Sequence, residues 1–191
     1  MNRIIFALCL LPFAFCLLLL SCRHAAPLPV LGEIPDFTLT AQNGAEFRRH
    51  DLDGKVWIAD FIFTNCTGPC PRMSGLMRKV QNSLVDRSDV RLVSFTVDPE
   101  RDTPEVFSAY ARRYQAREGV WYFLTGPEQT LNILSFEAFR VGRVGGGNLD
   151  HGTYFVLVDR RSHIRGYYGT SEPNNIGQLL KDVRRLCEES S

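Results

Sequence analysis

Residues 56–63 form a run, VWIADFIF, in which seven of eight residues are apolar and six are β-branched or aromatic. This composition predicts a strand that is covered on both faces, as in the centre of a parallel sheet. The run passes into the segment FTNCTGPCP, after which the apolar spacing of residues 71–85 predicts an amphipathic helix. A central strand that feeds a helix restricts the chain to folds in which helices cover a sheet.

Strands and helices alternate along the rest of the sequence. Alternating residues at 36–40, followed by the turn dipeptide Asn43-Gly44, predict a hairpin before the central strand. Beyond the first helix, the patterns predict a strand at 90–97 and a helix that starts near Thr103-Pro104, with Thr103 as its N-cap and Pro104 at the first helical position. They then predict a strand at 121–124, a helix at 127–138, paired strands at 154–158 and 163–168, and a helix at about 173–187. We therefore expect an α/β fold that resembles thioredoxin, with a central sheet flanked by helices, an N-terminal β-hairpin and insertions.

The first residues predict export rather than fold. Arg3 precedes an apolar run at residues 4–20, so residues 1–21 have the pattern of a signal peptide. The residues that end at Cys22, LLSC, resemble a bacterial lipobox, which implies cleavage before Cys22 and its lipidation. The alternative is an uncleaved transmembrane anchor. We expect residues 22–34 to form a membrane tether and residues 35–188 to form the domain, outside the cytoplasm.

Composition excludes several classes of protein. The chain has 22 Lys and Arg against 21 Asp and Glu, so it lacks the positive charge expected of a nucleic-acid-binding protein. Its 45% apolar content is too high for a disordered chain. Removal of residues 1–21 leaves Cys22, Cys66, Cys70 and Cys187. In an oxidising compartment, neighbouring cysteines are expected to be paired, redox-active or metal-bound. Cys187 has no such neighbour.

The cysteine-containing turn is the first candidate site. Cys66 lies in the predicted loop, and Cys70 lies near the expected N-cap, with Pro71 at the first helical position. The positive end of a helix lowers the pKa of nearby thiols. Two thiols at this spacing can close a disulfide, act as a redox pair or bind a soft metal ion. Asp60, on the preceding strand, resembles the buried acid of the thioredoxin family; alternatively, it makes only a hydrogen bond at the strand end.

His151 adds a nitrogen ligand to this hypothesis. It precedes the predicted strand at 154–158, and in thioredoxin-like folds this loop faces the cysteine turn. Oxidoreductases of that fold carry a cis-proline there, whereas this chain has Gly152. Two thiolates and one imidazole suit copper, since sulfur favours Cu(I) and nitrogen also accommodates Cu(II). Zinc accepts the same ligands but usually takes four.

The chain resembles the Sco/SenC family of thioredoxin-like copper proteins over roughly residues 33–187. Three stretches carry the resemblance: residues 63–71, residues 96–104 and the pair Asp150-His151. It implies that copper is bound by Cys66, Cys70 and His151. It also implies a protein tethered to the outer face of the cytoplasmic membrane, which assists assembly of the binuclear copper centre in the copper-binding subunit of cytochrome c oxidase. Many members have Pro directly after the first cysteine, where this chain has Thr67.

Three functions are compatible with these residues. The first is a copper metallochaperone. The second is a thiol-disulfide oxidoreductase that reduces partner cysteines through Cys66 and Cys70, and the third is a redox or copper sensor. The acids at residues 98–102 either tune the site or receive a partner, or they only form a turn before the next helix.

Overall fold

The computed structural model describes residues 26–142 and 152–189. The predicted signal peptide, the lipidation site Cys22 and the candidate ligand His151 lie outside these residues. Predictions that concern them therefore remain predictions. Within residues 26–142 and 152–189, no helix combines the length and the apolar character needed to cross a bilayer.

The described chain forms one mixed sheet with the strand order β1-β8-β7-β4-β5-β6-β2-β3. The strands are β1 Gly32–Glu33, β2 Thr38–Ala41, β3 Glu46–Arg48, β4 Val56–Ile62, β5 Val90–Thr96, β6 Trp121–Thr125, β7 Tyr154–Val158 and β8 His163–Gly169. Strands β4, β5 and β6 are parallel, and β7 is antiparallel to β4. The carboxyl ends of β4, β5 and β6 therefore share one edge, which we call the cysteine edge.

Four α-helices complete the described fold. They are α1 Pro69–Ser83, α2 Pro104–Arg113, α3 Glu128–Asn132 and α4 Pro173–Glu188, together with a 3-10 turn at Arg49–Leu52. The helix predicted at 127–138 is only partly α-helical, because Ile133–Ala138 continues α3 with the wider π geometry. The residue that follows the wider turns, Phe139, is fully buried and packs edge-on against Trp57.

The central strand explains why this fold forms. All seven residues of β4 are buried, as predicted from its continuous apolar run. One apolar cluster combines sheet residues with residues of α1, α2 and α4, and the other combines sheet residues with the hairpin and the α3 segment. The predicted α/β architecture is confirmed. So is the N-terminal hairpin, since Gly44 adopts a positive φ of 79° and its amide donates to the carbonyl of Ala41.

The described part of the predicted tether lies against the domain. The amide of Leu31 donates to the carbonyl of Ile164 (2.8 Å), next to the short pairing of β1 with β8. The guanidinium of Arg165 donates to the carbonyls of Leu28 (2.6 Å) and Pro29 (3.1 Å). We call residues 26–33 the strap. It docks near the start of β8, at the edge opposite the cysteine edge.

Candidate metal centre

Cys66 and Cys70 lie at the turn between β4 and α1. The helix begins at Pro69, two residues earlier than the sequence analysis placed it, so Gly68 is the N-cap and Cys70 is the second helical residue. Pro69 favours this start because its fixed φ matches the helix and it has no amide hydrogen to satisfy. The turn therefore holds Cys70 on a rigid helix and leaves Cys66 in the loop.

The two thiols are buried and in contact, and no disulfide joins them. Cys70 is completely buried, whereas Cys66 retains 9% exposure, and their side chains share a hydrogen bond. Burial raises the pKa of the Cys70 thiol, and the Cys66 side chain raises it further, against a hydrogen bond with the backbone of Phe63. The prediction that the helix end lowers the thiol pKa is therefore wrong for Cys70, because loss of solvation outweighs the helix dipole.

These donors fit a soft metal ion. Two thiols in contact suit Cu(I), and loss of both protons would supply two thiolate ligands. Residues 26–142 and 152–189 contain no group of three or more His, Cys, Asp or Glu side chains arranged to hold a metal. The described part of the site is thus a two-sulfur site. The candidate third ligand, His151, adjoins Gly152, whose amide donates to the carbonyl of Val141 (2.6 Å).

Asp60 lies in β4, the strand that leads into the cysteine loop. Its carboxyl group is fully buried within β4; Ser94 Oγ donates to Oδ1 (2.6 Å), and Trp121 Nε1 donates to Ser94 Oγ (3.0 Å). The second carboxyl oxygen, Oδ2, is buried with no hydrogen-bond partner. Burial raises the pKa of Asp60 to about 7, against the opposing effect of the Ser94 bond. Asp60 is therefore a buried acid inside the sheet, and its charged form also raises the pKa of Cys70.

The acidic segment after β5 is bound to the cysteine loop, a contact that sequence reasoning missed. Asp102 is almost completely buried, and its carboxylate accepts hydrogen bonds from Thr64 and Thr96. Burial raises the pKa of Asp102, while these hydrogen bonds lower it. As predicted, Thr103 caps α2, since its hydroxyl accepts a bond from the amide of Val106. From the sequence, the position of Asp102 just before a helix indicated only a turn. Its contact with Thr64 depends on the parallel pairing of β4 and β5, which brings the two loops together.

The sequence model of the SCO1/SenC family matches residues 30–188. This match includes most of the chain, with Cys66 and Cys70 inside it. The chain belongs to the SCO1/SenC family. The resemblance proposed from residues 63–71 and 96–104 is therefore confirmed, and the thioredoxin-like core is that of this family.

Individual relatives of this SCO1/SenC protein agree with that assignment. A structure of a SCO1/SenC family lipoprotein from Bacillus anthracis superposes with a TM-score of 0.77 and 33% identity, covering 84% of this chain and 98% of that one. A structure of BsSco, described as a Sco-family cytochrome c oxidase assembly protein with a disulfide switch, has a TM-score of 0.76 and 31% identity, covering 86% and 98%. A putative copper-binding protein of Stutzerimonas stutzeri is 34% identical over 157 residues, covering 78% of this chain and 75% of that protein.

Cys187 of this SCO1/SenC chain is remote from the thiol pair. It lies in the last turn of α4, where its carbonyl accepts a hydrogen bond from Arg160 (3.1 Å). Arg160 follows the carboxyl end of β7, which pairs antiparallel with β4, so Cys187 lies at the edge opposite Cys66. The structure therefore brings together Cys66 and Cys70, with Asp60 in the strand beneath them, and excludes Cys187.

Proposed function

We propose that this SCO1/SenC protein is a membrane-tethered metallochaperone that binds copper through Cys66, Cys70 and His151. It would deliver the ion to the copper-binding subunit of cytochrome c oxidase during assembly of the binuclear copper centre. The observation that carries the proposal is the pair of reduced, hydrogen-bonded thiols at the start of α1. The copper-binding description of one relative and the oxidase-assembly description of another support it.

The unequal burial of the thiols suggests how copper would enter and leave. Cys70 is completely buried on the helix, whereas Cys66 is slightly exposed on the loop. A partner's thiolate would therefore exchange first at Cys66, while Cys70 retains the ion. Binding of Cu(I) through both sulfurs requires loss of both thiol protons. Because burial favours the protonated form of Cys70, copper must displace the proton of that thiol against the effect of burial.

The location of the protein follows from its first residues and is part of the proposal. The lipobox-like sequence LLSC implies a lipid on Cys22. A relative of similar structure is described as a lipoprotein. We propose that the domain is anchored in this way to the outer face of the cytoplasmic membrane, where an oxidase subunit could receive copper.

A second candidate is a thiol-disulfide oxidoreductase, and the buried acid Asp60 favours it. In this reaction the Cys66 thiolate would attack a partner's disulfide and form a mixed disulfide, releasing one partner thiolate. The Cys70 thiolate would then attack Cys66, close the Cys66–Cys70 disulfide and release the second partner thiolate. The partner's disulfide is thereby reduced by two electrons, the chain's dithiol is oxidised, and two protons pass from the chain's thiols to the partner's.

Replacement of the candidate nitrogen ligand separates the two functions. We expect His151→Ala to weaken Cu(I) binding of the reduced full-length protein by at least about tenfold, because it removes a ligand but no thiol. The equilibrium constant for oxidation of the Cys66–Cys70 dithiol by oxidised glutathione should remain within about twofold of the wild-type value. A competition titration with a colorimetric Cu(I) chelator measures the first quantity. X-ray absorption of the wild-type protein should show two sulfur ligands and one nitrogen ligand.

His163→Ala is the matched control, because His163 lies at the start of β8, at the opposite edge, beside Asp159. Equal copper affinities for the two variants would exclude His151 as a ligand. Failure of the wild-type protein to bind stoichiometric copper, combined with ready cycling of the disulfide, would favour the oxidoreductase.

A further inference from the structure

The carboxylate of Asp102 joins three segments at the cysteine edge. Oδ1 accepts from the hydroxyl (2.5 Å) and the amide (3.2 Å) of Thr64, and Oδ2 accepts from the hydroxyl of Thr96 (2.6 Å). Thr64 belongs to the loop between β4 and α1, and Thr96 ends β5. Asp102 itself lies just before α2. A single buried side chain therefore ties the cysteine loop to the neighbouring strand and to the next helix.

Further hydrogen bonds hold the backbone around Asp102. The amides of Arg101 and Asp102 both donate to the carbonyl of Asp98 (3.1 and 2.9 Å), and the amide of Asp98 donates to Thr96 Oγ1 (2.9 Å). The amide of Val97 extends the pairing of β4 with β5 by donating to the carbonyl of Ile62 (2.9 Å). Asp102 is thus presented by a structured turn on a rigid sheet, as a fixed point for the loop.

Thr64, which is bound by Asp102, is close to Cys66 in the chain. Thr64 is two residues before Cys66, and the amide of Cys66 turns back to the carbonyl of Phe63 (3.4 Å). Only Asn65 separates Thr64 from Cys66. Cys70, by contrast, is held by α1. The position of Cys66 relative to Cys70 therefore depends on what holds residues 63–66.

We propose that Asp102 is the positioning residue of the thiol pair: through its bonds to Thr64, it fixes Cys66 at the distance from Cys70 that metal binding and disulfide exchange require. Asp102 acts through Thr64 and is not itself a ligand. The copper part of this proposal rests on the proposed function, whereas the effect on the dithiol does not. Groups that orient the residues of a metal site from behind commonly change its affinity by 10- to 100-fold.

Asp102→Asn tests the proposal. The substitution hardly changes the volume of the side chain, but it places an amide nitrogen, which donates, where a carboxylate oxygen accepts a hydrogen bond from a hydroxyl group. In the reduced full-length protein we expect the Cu(I) affinity to fall by about tenfold or more. We also expect the equilibrium constant of Cys66–Cys70 with reduced and oxidised glutathione to change by about tenfold. The comparison is made at a temperature at which circular dichroism and urea unfolding show every variant to be folded.

Asp98→Asn is the matched control. It makes the same change in the same turn, but the carboxylate of Asp98 pairs with the exposed side chain of Arg101 (2.8 Å). Both quantities should stay within about twofold of the wild-type values in Asp98→Asn. A second pair of variants tests the other end of the contact. Thr64→Val removes the hydroxyl and should reproduce part of the Asp102→Asn effect. Thr64→Ser keeps a hydroxyl and should have the copper affinity and the glutathione equilibrium constant of the wild-type protein.

Two results would overturn the proposal. One is an Asp102→Asn protein of lower unfolding free energy whose glutathione constant and copper affinity match those of Asp98→Asn, since Asp102 would then only stabilise the fold. The other result is that Thr64→Val and Thr64→Ser have the same copper affinity and the same glutathione equilibrium constant. This second result decides the matter if Asp102→Asn does not fold. If the wild-type protein binds no copper, the proposed function fails, while the glutathione constant still tests the role of Asp102.

Discussion

Among the individual residues, the carboxyl group of Asp60 shows how burial sets a protonation state. It lies in the central strand, fully buried, with one oxygen bonded to Ser94 and the other without a partner. An ionised carboxylate is costly there, since a single hydrogen bond does not replace its hydration. The pKa of Asp60 rises to about 7 for this reason. The raised pKa makes the stability of the protein depend on pH.

The sign of that dependence follows from the two pKa values. Below about pH 4, Asp60 is protonated in both the folded and the unfolded states, and it has no differential effect. Between about pH 4 and pH 7 the unfolded chain ionises while the folded protein does not, so Asp60 lowers the unfolding free energy as pH rises. Above pH 7 the penalty is constant. Its upper limit is about 4 kcal/mol for a shift from 3.8 to about 7.

We therefore predict that Asp60→Asn is more stable than the wild-type protein at pH 8 by a few kcal/mol, on the order of the 1.4 kcal/mol per pKa unit involved. The difference should shrink toward zero near pH 4. Urea unfolding of both proteins across this range, with Asp86→Asn as the control for an exposed carboxylate, measures it. A difference that does not vary with pH would show that Asp60 is ionised in the folded protein.

At the level of secondary-structure elements, two glycines have opposite roles. Gly177 lies within α4, and a Cβ atom there would meet no atom within 4 Å. Gly152 precedes β7, and a Cβ atom there would lie 2.9 Å from both the carbonyl oxygen of Val141 and the ring of Tyr154. At position 177, glycine lowers the helix propensity, and no packing contact requires it. At position 152, glycine is required because the backbone of Val141 approaches closely.

We predict that Gly177→Ala stabilises the protein by about 0.5–1 kcal/mol, because alanine restricts the unfolded chain and favours the helix. Gly152→Ala should destabilise the protein, because the added methyl group would clash with the carbonyl oxygen of Val141, to which the amide of residue 152 donates a hydrogen bond. Thermal and urea unfolding of the two variants provide the measurement. A stabilising Gly152→Ala would mean that residues 141 and 152 separate at little cost.

Over the molecule as a whole, the sheet separates the two ends that carry function. The thiol pair lies at the cysteine edge, and the strap docks at the opposite edge, near the start of β8 and the last turn of α4. A helix of 16 residues, such as α4, is about 24 Å long. Three residues separate Cys22 from the strap in the sequence. In the proposed lipoprotein, the docked strap would therefore limit how far the domain can move from the lipid.

Arg165 is the main side-chain contact of the strap, since it bonds to the carbonyls of Leu28 and Pro29 and pairs with Asp159 (2.7 Å). We predict that Arg165→Ala increases hydrogen exchange at the amide of Leu31 by about tenfold or more, because hydrogen bonds to charged groups contribute about 1.5–3 kcal/mol each. Mass spectrometry of the peptide that contains residues 26–34 reports the rate. The exposed neighbour Arg161→Ala serves as the control. Equal exchange in both would show that the other contacts, the pairing of β1 with β8 and the bond from Arg185 to the carbonyl of Ala26, hold the strap without Arg165.

Much of the fold could be predicted from local patterns. The apolar run of β4, the turn at Asn43-Gly44 and the cap at Thr103 each depend on neighbouring residues in the chain, and each was confirmed. Helix ends were less certain: α1 begins two residues earlier than expected, because both Pro69 and Pro71 are compatible with a first turn. The π geometry that follows α3 had no local signal.

Residue type and spacing were sufficient to predict the α/β class, the family and the pair Cys66 and Cys70 as the candidate centre. The full burial of Cys70 with its raised pKa, and the hydrogen bonds from Thr64 to Asp102, became evident from the packed structure. Burial and contacts between distant residues depend on how strands pair, and no local pattern encodes a distance across the sheet.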